Sequence, residues 1–288
     1  MTTGIHLGTS AFIADGWPGS FYPEGMKPPD YLQHYSTRFD TVEINSTFYR
    51  LPAVETVNHW ALKAPSGFVF SLVAPHAITH EKILLDCHEE FERFMNAAHM
   101  LGEKLGPVLL QFPHFNQNVF GSSEQFISRL NAFLNKLPCG ECKFAIEIRN
   151  RHWLTPWLAD QLRESNVALV LQDQQWMPRA EVLLEQFDPI TADFTFIRWQ
   201  GDHKGIRERT NVWNRTIFDR TAELRTWVDF CGKIQKPGIK QYIYASNQYA
   251  GYAPATVELL RSLCHEKGIT TQLGSAAVLG RSGSDKRQ

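Results

Sequence analysis

The feature that most constrains this chain is an alternation. Eight short stretches rich in β-branched, aromatic and aliphatic residues recur along it: 5–8, 41–45, 68–73, 108–112, 144–148, 168–172, 194–199 and 241–245. Each is followed by a segment of helical length: 31–37, 54–64, 84–101, 123–137, 156–165, a short one at 180–185, 219–234 and 254–267. Strands joined by helices run parallel, because a parallel pair needs a crossover of a dozen or more residues. Eight such units predict closure into one (β/α)8 TIM-type barrel with parallel strands, irregular around the sixth helix. A doubly wound open sheet is the runner-up. It usually carries a glycine-rich phosphate turn after its first strand, whereas Gly8-Thr9-Ser10-Ala11 stands here. The expected organisation is a single barrel domain over residues 1–273 and a disordered tail over 274–288, whose end is small, polar and charged.

Composition narrows the partners. Of 288 residues, 43% are hydrophobic and 20% charged, and the formal net charge of −1 argues against a general polyanion binder. No apolar run approaches the ~20 residues that span a bilayer, and the first residues lack a signal-peptide pattern, so the expectation is a cytoplasmic chain without membrane partners. Five cysteines suggest thiols rather than a disulfide framework. Cys139-Gly140-Glu141-Cys142 is a lone C-x-x-C pair, read as a turn before a strand.

In a barrel of this kind the functional groups stand at the C-terminal strand ends. Those ends collect Ser10, Glu43, Asn45, Gln111, Glu147, Arg149, Asp173, Arg198, Gln200, Ser246 and Asn247. Strand side chains alternate between faces, so Glu43 and Asn45 are expected on one face, opposite Val42 and Ile44. Likewise Ala145, Glu147 and Arg149 oppose Ile146 and Ile148, and Phe196, Arg198 and Gln200 oppose Ile197 and Trp199. Aliphatic faces then pack on helices while charged faces line the barrel's mouth.

Several stretches resemble the YecE-like family, a set of proteins built on a domain of unknown function. They are Gly8-Thr9-Ser10, Phe21-Tyr22-Pro23, the block from Thr41 to Pro52, Thr56-Val57 with Trp60-Ala61, and Ala74-Pro75. Others are Ile78-Thr79-His80, Leu105 to Pro113, Ile146 to Arg149, Arg198 with Gly201, and Asn247 with Ala250-Gly251. The resemblance implies a TIM-type barrel and brings no activity. The chain departs from the family's usual residues at Val73, at Gln200, and at Ser246 and Gln248 within Ser246-Asn247-Gln248.

Two carboxylates beside two guanidiniums suit an anionic substrate, since arginine grips phosphate or carboxylate bidentately and a glutamate can exchange a proton. The expected function is therefore a barrel enzyme using acid–base chemistry, hydrolysis above all, on a phosphorylated or sugar-containing molecule. Glu43 and Glu147 are the expected catalytic residues. Asn45, Gln111, Arg149, Asp173, Arg198 and Asn247 are expected to bind substrate. The alternatives are a non-catalytic binder of a small anion or nucleic-acid end, a buried salt-bridge network, and a divalent-metal hydrolase or isomerase. Glu43, Glu147, Asp173 and His80 are the metal-ligand types for the last, but two arginines in one mouth repel a cation, so no cofactor is expected. His76 and His80 have i, i+4 spacing in a Pro-flanked segment read as a loop.

Overall fold

A computed structural model describes residues 4–136 and 142–272. Its eight strands are β1 (Ile5–Thr9), β2 (Thr41–Ile44), β3 (Val69–Val73), β4 (Leu105–Gln111), β5 (Phe144–Glu147), β6 (Ala168–Gln174), β7 (Phe194–Gly201) and β8 (Lys240–Ala245). All pair in parallel, each with its neighbour in sequence from β2 round to β8 and then β1. The helices that return the chain are α1 (Pro28–Arg38), α2 (Val54–Lys63), α3 (His88–His99), α4 (Ser123–Leu134), α5 (Pro156–Glu164), α6 (Ala180–Gln186), α7 (His203–Arg207), α8 (Thr221–Lys233), α9 (Asn247–Ala250) and α10 (Ala253–Glu266). This is the expected (β/α)8 barrel, with two short extra helices, α7 and α9, after the last two strands. The proposed tail and Cys139 lie outside the described residues.

Period two divides the core. Ile5, Leu7, Val42, Ile44, Ile146, Ile197 and Ile243 face the helices in one large apolar cluster. Val73, Leu109, Ala145, Val170, Phe196 and Tyr244 fill the barrel's inside in a second, smaller one. Above that filling the inward side chains become polar. The Tyr244 hydroxyl lies 2.8 Å from Thr41 Oγ1 and 2.7 Å from Ser71 Oγ. Glu43 stands in register with Ser71 and Arg198 with Tyr244, so the charges adjoin this hydrogen-bonded group.

The barrel does not close by backbone pairing alone. Among the described residues no ladder joins β1 to β2, and side chains bridge that seam instead. Asp40 accepts a bond from the Leu7 N–H at 3.2 Å. The Tyr35 hydroxyl accepts from the Thr9 N–H at 2.9 Å and donates to the Thr41 carbonyl at 3.1 Å. A hydroxyl can do both, so it satisfies two buried backbone groups that would otherwise be orphaned. Gly8 permits the approach, because a Cβ there would lie 2.1 Å from the Thr41 carbonyl oxygen.

Two local expectations change. The apolar spacing from Leu84 onward reads as one long helix, yet α3 begins only at His88. Ile83, Leu84 and Asp86 adopt φ of 48°, 64° and 44°, and left-handed residues cannot continue a right-handed helix. Conversely, the segment after Pro75 is no loop: Ala77–Glu81 forms a single π-helical turn. Proline suits such a start, where its missing N–H has no intrahelical partner to lose.

Candidate functional site at the barrel mouth

Glu43 and Glu147 are both 0% exposed, and Arg198 is 4% exposed between them. Arg198 Nη2 donates to Glu43 Oε1 at 2.8 Å, and its Nε stands 2.7 Å from Glu43 Oε2. Its Nη1 donates to Glu147 Oε2 and, at 3.4 Å, to Gln111 Oε1. With the Gln200 amide oxygen turned toward it, Arg198 also reaches that acceptor at 3.2 Å from both Nε and Nη2. The period-two reading of β2, β5 and β7 thus brings together residues 155 positions apart in sequence.

Electrostatics follow from the geometry. Burial alone would lower the Arg198 pKa, but Glu43 and Glu147 outweigh it and hold the guanidinium charged. Burial likewise pushes Glu147 upward, and the charges and hydrogen bonds of Arg198 and Arg149 more than reverse this, leaving it below the usual carboxylate range. Two of the sequence expectations therefore change. Arg198 is enclosed and its donors already have acceptors, so it cannot also grip an incoming anion. Glu43 is sealed from the mouth by the same guanidinium, so it has no path to a substrate proton.

Arg149 differs. Its Nε donates to Glu147 Oε1 at 2.9 Å and its Nη2 stands 2.9 Å from the same oxygen, while Nη1 has no protein partner among the described residues. Its side chain is 29% exposed. It lines a cleft of about 1010 Å³ formed by the loops after β4, β5 and β6. Arg149, Arg151, His114 and His152 supply the cleft's basic groups, Phe115, Phe120, Trp153 and Trp176 its aromatic walls, and none of its lining residues is a carboxylate.

Three other expected site residues sit elsewhere. Asn45 is exposed, since β2 ends at Ile44 and Asn45 begins a short 3-10 turn, which breaks the alternation that would have placed it beside Glu43. Asp173 shares a face with Leu169 and Leu171, on the helix side. Its Oδ2 accepts from the Trp227 indole N–H at 2.9 Å and the Tyr249 hydroxyl at 3.2 Å. Asn247 opens α9, and its amide oxygen accepts the Ala253 N–H at 2.9 Å, shaping the loop after β8. Ser246 caps α9 by accepting the Gln248 N–H, which gives this departure from the family's residues a local role. Of the amides expected to bind substrate, Gln111 joins the charged cluster while Asn45 and Asn247 do not.

Three histidines complete the mouth. On the π-helical turn, the His76 and His80 rings stack at 4.8 Å, and Phe48 meets both edge-on at 5.3 and 5.0 Å. Thr79 Oγ1 lies 2.9 Å from His80 Nδ1. Burial, His76 and Arg149 push His80 down to about 4, against a smaller opposing pull from Glu147. His203, at the start of α7, is lowered by burial and by Arg149, Arg207 and Arg198. The sequence reading passed over His203. Its place two residues beyond the end of β7, the strand that carries Arg198, is a signal that would have found it. Among the described residues no group of three or more His, Cys, Asp or Glu side chains could hold a metal ion. No described helix is long and apolar enough to cross a membrane.

Known proteins resemble the chain over most or part of its length. It is 32% identical to the UPF0759 protein YecE of Escherichia coli (strain K12) over 119 residues, 41% of each chain. It is 29% identical to the UPF0759 protein YunF of Bacillus subtilis (strain 168) over 154 residues, 51% of this chain and 52% of that one. The matches thus span about half the length of these relatives or less. The crystal structure of a DUF72 family protein from Thermotoga maritima superposes with a TM-score of 0.72 at 23% identity, covering 91% of this chain and 99% of that one. A DUF72 family protein from Enterococcus faecalis gives 0.71 at 20% identity, covering 91% and 95%. These two likenesses carry the barrel fold. The family described as "Protein of unknown function DUF72" matches residues 6–277, and the chain belongs to that family.

Proposed function

We propose that the chain is a barrel enzyme acting on a small, anionic, sugar-containing molecule, with the phosphate or carboxylate of that molecule held by Arg149. The observation that carries this reading is the double life of Arg149. One edge of its guanidinium is fixed by the buried Glu147, while the side chain as a whole opens on the large cleft free of lining carboxylates. A fixed guanidinium loses little further freedom on gripping an anion, which favours binding. Apolar and aromatic walls with a few convergent polar groups are the usual make-up of a small-molecule site.

In this reading Glu43 and Arg198 are positioning residues that fix Glu147, and Glu147 fixes Arg149. Acid–base chemistry falls to His80, whose neutral imidazole accepts a proton from an attacking water. Burial is the main cause of the depressed His80 and Arg149 adds to it, so an anion seated on Arg149 offsets that added part and raises the basicity of His80. A hydrolysis reaction fits these parts.

The test is a thermal-shift screen of phosphate, sugar phosphates and sugar carboxylates. A ligand that binds only the folded state stabilises it by about 2.7 kcal/mol at a hundred times its Kd. At least one sugar-containing anion should raise Tm saturably, and Arg149→Met should abolish the rise. That ligand should be turned over by the wild type and bound but not turned over by His80→Asn. If no anion stabilises the fold, or the rise survives in Arg149→Met, the reading fails.

A further inference from the structure

Trp176 is the most exposed tryptophan among the large hydrophobic residues at the surface: 70% of it is open to solvent. It belongs to the loop after β6, between two recesses. On one side lies the large cleft that holds Arg149. On the other is a second cleft of about 580 Å³, and Trp176 and Gln175 line both. The two recesses differ in chemistry. The first is basic and aromatic. The second is polar, with Asp202, Glu208, Lys204, His203 and the amide of Gln174 on its walls.

A single cleft with one charge preference takes one group. Two clefts of different chemistry with one exposed indole between them take two linked groups. The mixed wall of the smaller cleft offers carboxylate acceptors, an ammonium donor and amides that serve as either. That combination matches neutral hydroxyl groups, which both donate and accept, and has no net demand for charge. An indole face presents its ring to the C–H face of a pyranose, and aromatic rings at cleft mouths pair an apolar body with a wet surrounding.

Resting on the reading of Arg149 as the anion holder, we infer that the ligand is a phosphorylated oligosaccharide of at least two sugar units. The phosphorylated unit occupies the large cleft with its phosphate on Arg149. The next unit crosses the Trp176 ring and places its hydroxyls against Asp202, Lys204 and Glu208. Trp176 is the specificity-determining residue that distinguishes two units from one. His203 lines the smaller cleft and feels the charge of Arg149, and Gln175, which lines both clefts with Trp176, stands where the two units join.

The experiment compares calorimetric Kd values for glucose 6-phosphate, a disaccharide 6-phosphate such as trehalose 6-phosphate, and a nucleoside monophosphate. They are measured on the wild type, Trp176→Ala, Trp176→Phe and Arg149→Met. The wild type should bind the disaccharide phosphate at least ten-fold tighter than the monosaccharide phosphate. Trp176→Ala should reduce that ratio to about two or less, weakening the disaccharide phosphate far more than the monosaccharide phosphate, and Trp176→Phe should keep most of it. Arg149→Met should weaken both ligands alike. Circular dichroism establishes that each variant is folded, and the exposed position of Trp176 makes its removal tolerable to the fold. A ratio near one in the wild type, with binding that still depends on Arg149, overturns this inference and leaves the anion site standing. A ratio unmoved by Trp176→Ala does the same. Tightest binding by the nucleoside monophosphate replaces the second sugar with a base and overturns the ligand class. No binding by any of the three, with phosphate also silent in the thermal screen, overturns both readings together.

Discussion

Replacing Arg198 by methionine isolates what the buried charges contribute. Methionine keeps much of the length and apolar bulk of the arginine stem but leaves two enclosed carboxylates without their shared cation. Glu147 retains Arg149, at 2.9 Å. Glu43 retains no cation among the described residues, since its ion pair is to Arg198 alone. At an effective dielectric of about 20, each carboxylate–guanidinium pair at ~4 Å is worth about 4 kcal/mol of attraction. Desolvation offsets much of that, and stranding one partner of a buried pair costs about 3–5 kcal/mol in measured cases. The expected loss is in that range, which for a chain of this size lowers Tm by roughly 6–20 °C, at about 2–4 °C per kcal/mol. Urea denaturation gives the free energy directly, with the slope checked for an unchanged unfolded state.

The pH dependence supplies the sharper result. In the wild type Glu147 is depressed, so its stabilisation is present above the unfolded carboxylate range and is lost as pH falls through its folded value. In the variant a buried carboxylate left without a cation disfavours its charged form, so the destabilisation is fullest at neutral pH and is relieved on acidification. The second effect narrows the gap between the two proteins as pH falls from 7, and the first adds to it only once the pH falls into the usual carboxylate range and below. The double variant Glu43→Gln with Arg198→Met should recover part of the loss, because the amide keeps the shape and removes the uncompensated charge. A gap below about 1 kcal/mol, well under the cost of stranding a buried charge, refutes the reasoning. So does a gap that stays constant between pH 7.5 and 5.

Two further outcomes follow from the same geometry. Tyr35→Phe removes the hydroxyl that joins Thr9 N–H to the Thr41 carbonyl, and stranding those buried groups should cost about 1–3 kcal/mol in urea denaturation. An unchanged midpoint would mean that the seam finds other partners. In an imidazole titration by nuclear magnetic resonance, His80 should remain neutral down to pH values near 4. Because its folded pKa lies below the unfolded value, stability should fall as pH drops from about 6.5 toward that value, where the unfolded chain takes a proton that the folded one refuses. An ordinary His80 titration near 6.5 would mean that the ring is not buried beside His76 and Arg149, and adding a bound phosphate should shift the wild-type ring upward.

Period two, together with the spacing of apolar residues, determined the eight strands and the inward direction of Glu43, Glu147 and Arg198 from sequence alone, because alternation is a property of the extended backbone. The same rule carried to Asp173 would have turned it outward with Leu169 and Leu171, toward Trp227, where it stands. Asn45 escaped the rule because the chain leaves the extended conformation at that residue, and a 3-10 turn has its own period. The partner of Glu43 was not legible. Arg198 lies 155 residues away, and only closure of the barrel sets β7 across from β2. Closure also decided which arginine faces a ligand. Both stand at strand ends, but Arg198 remains within β7 and points into the packed interior, whereas Arg149 lies two residues past the end of β5, where the chain opens into the cleft. Exposure at the end of a strand depends on how far the neighbouring strands and loops rise around it, and that height is set by tertiary packing rather than by any local run of residues.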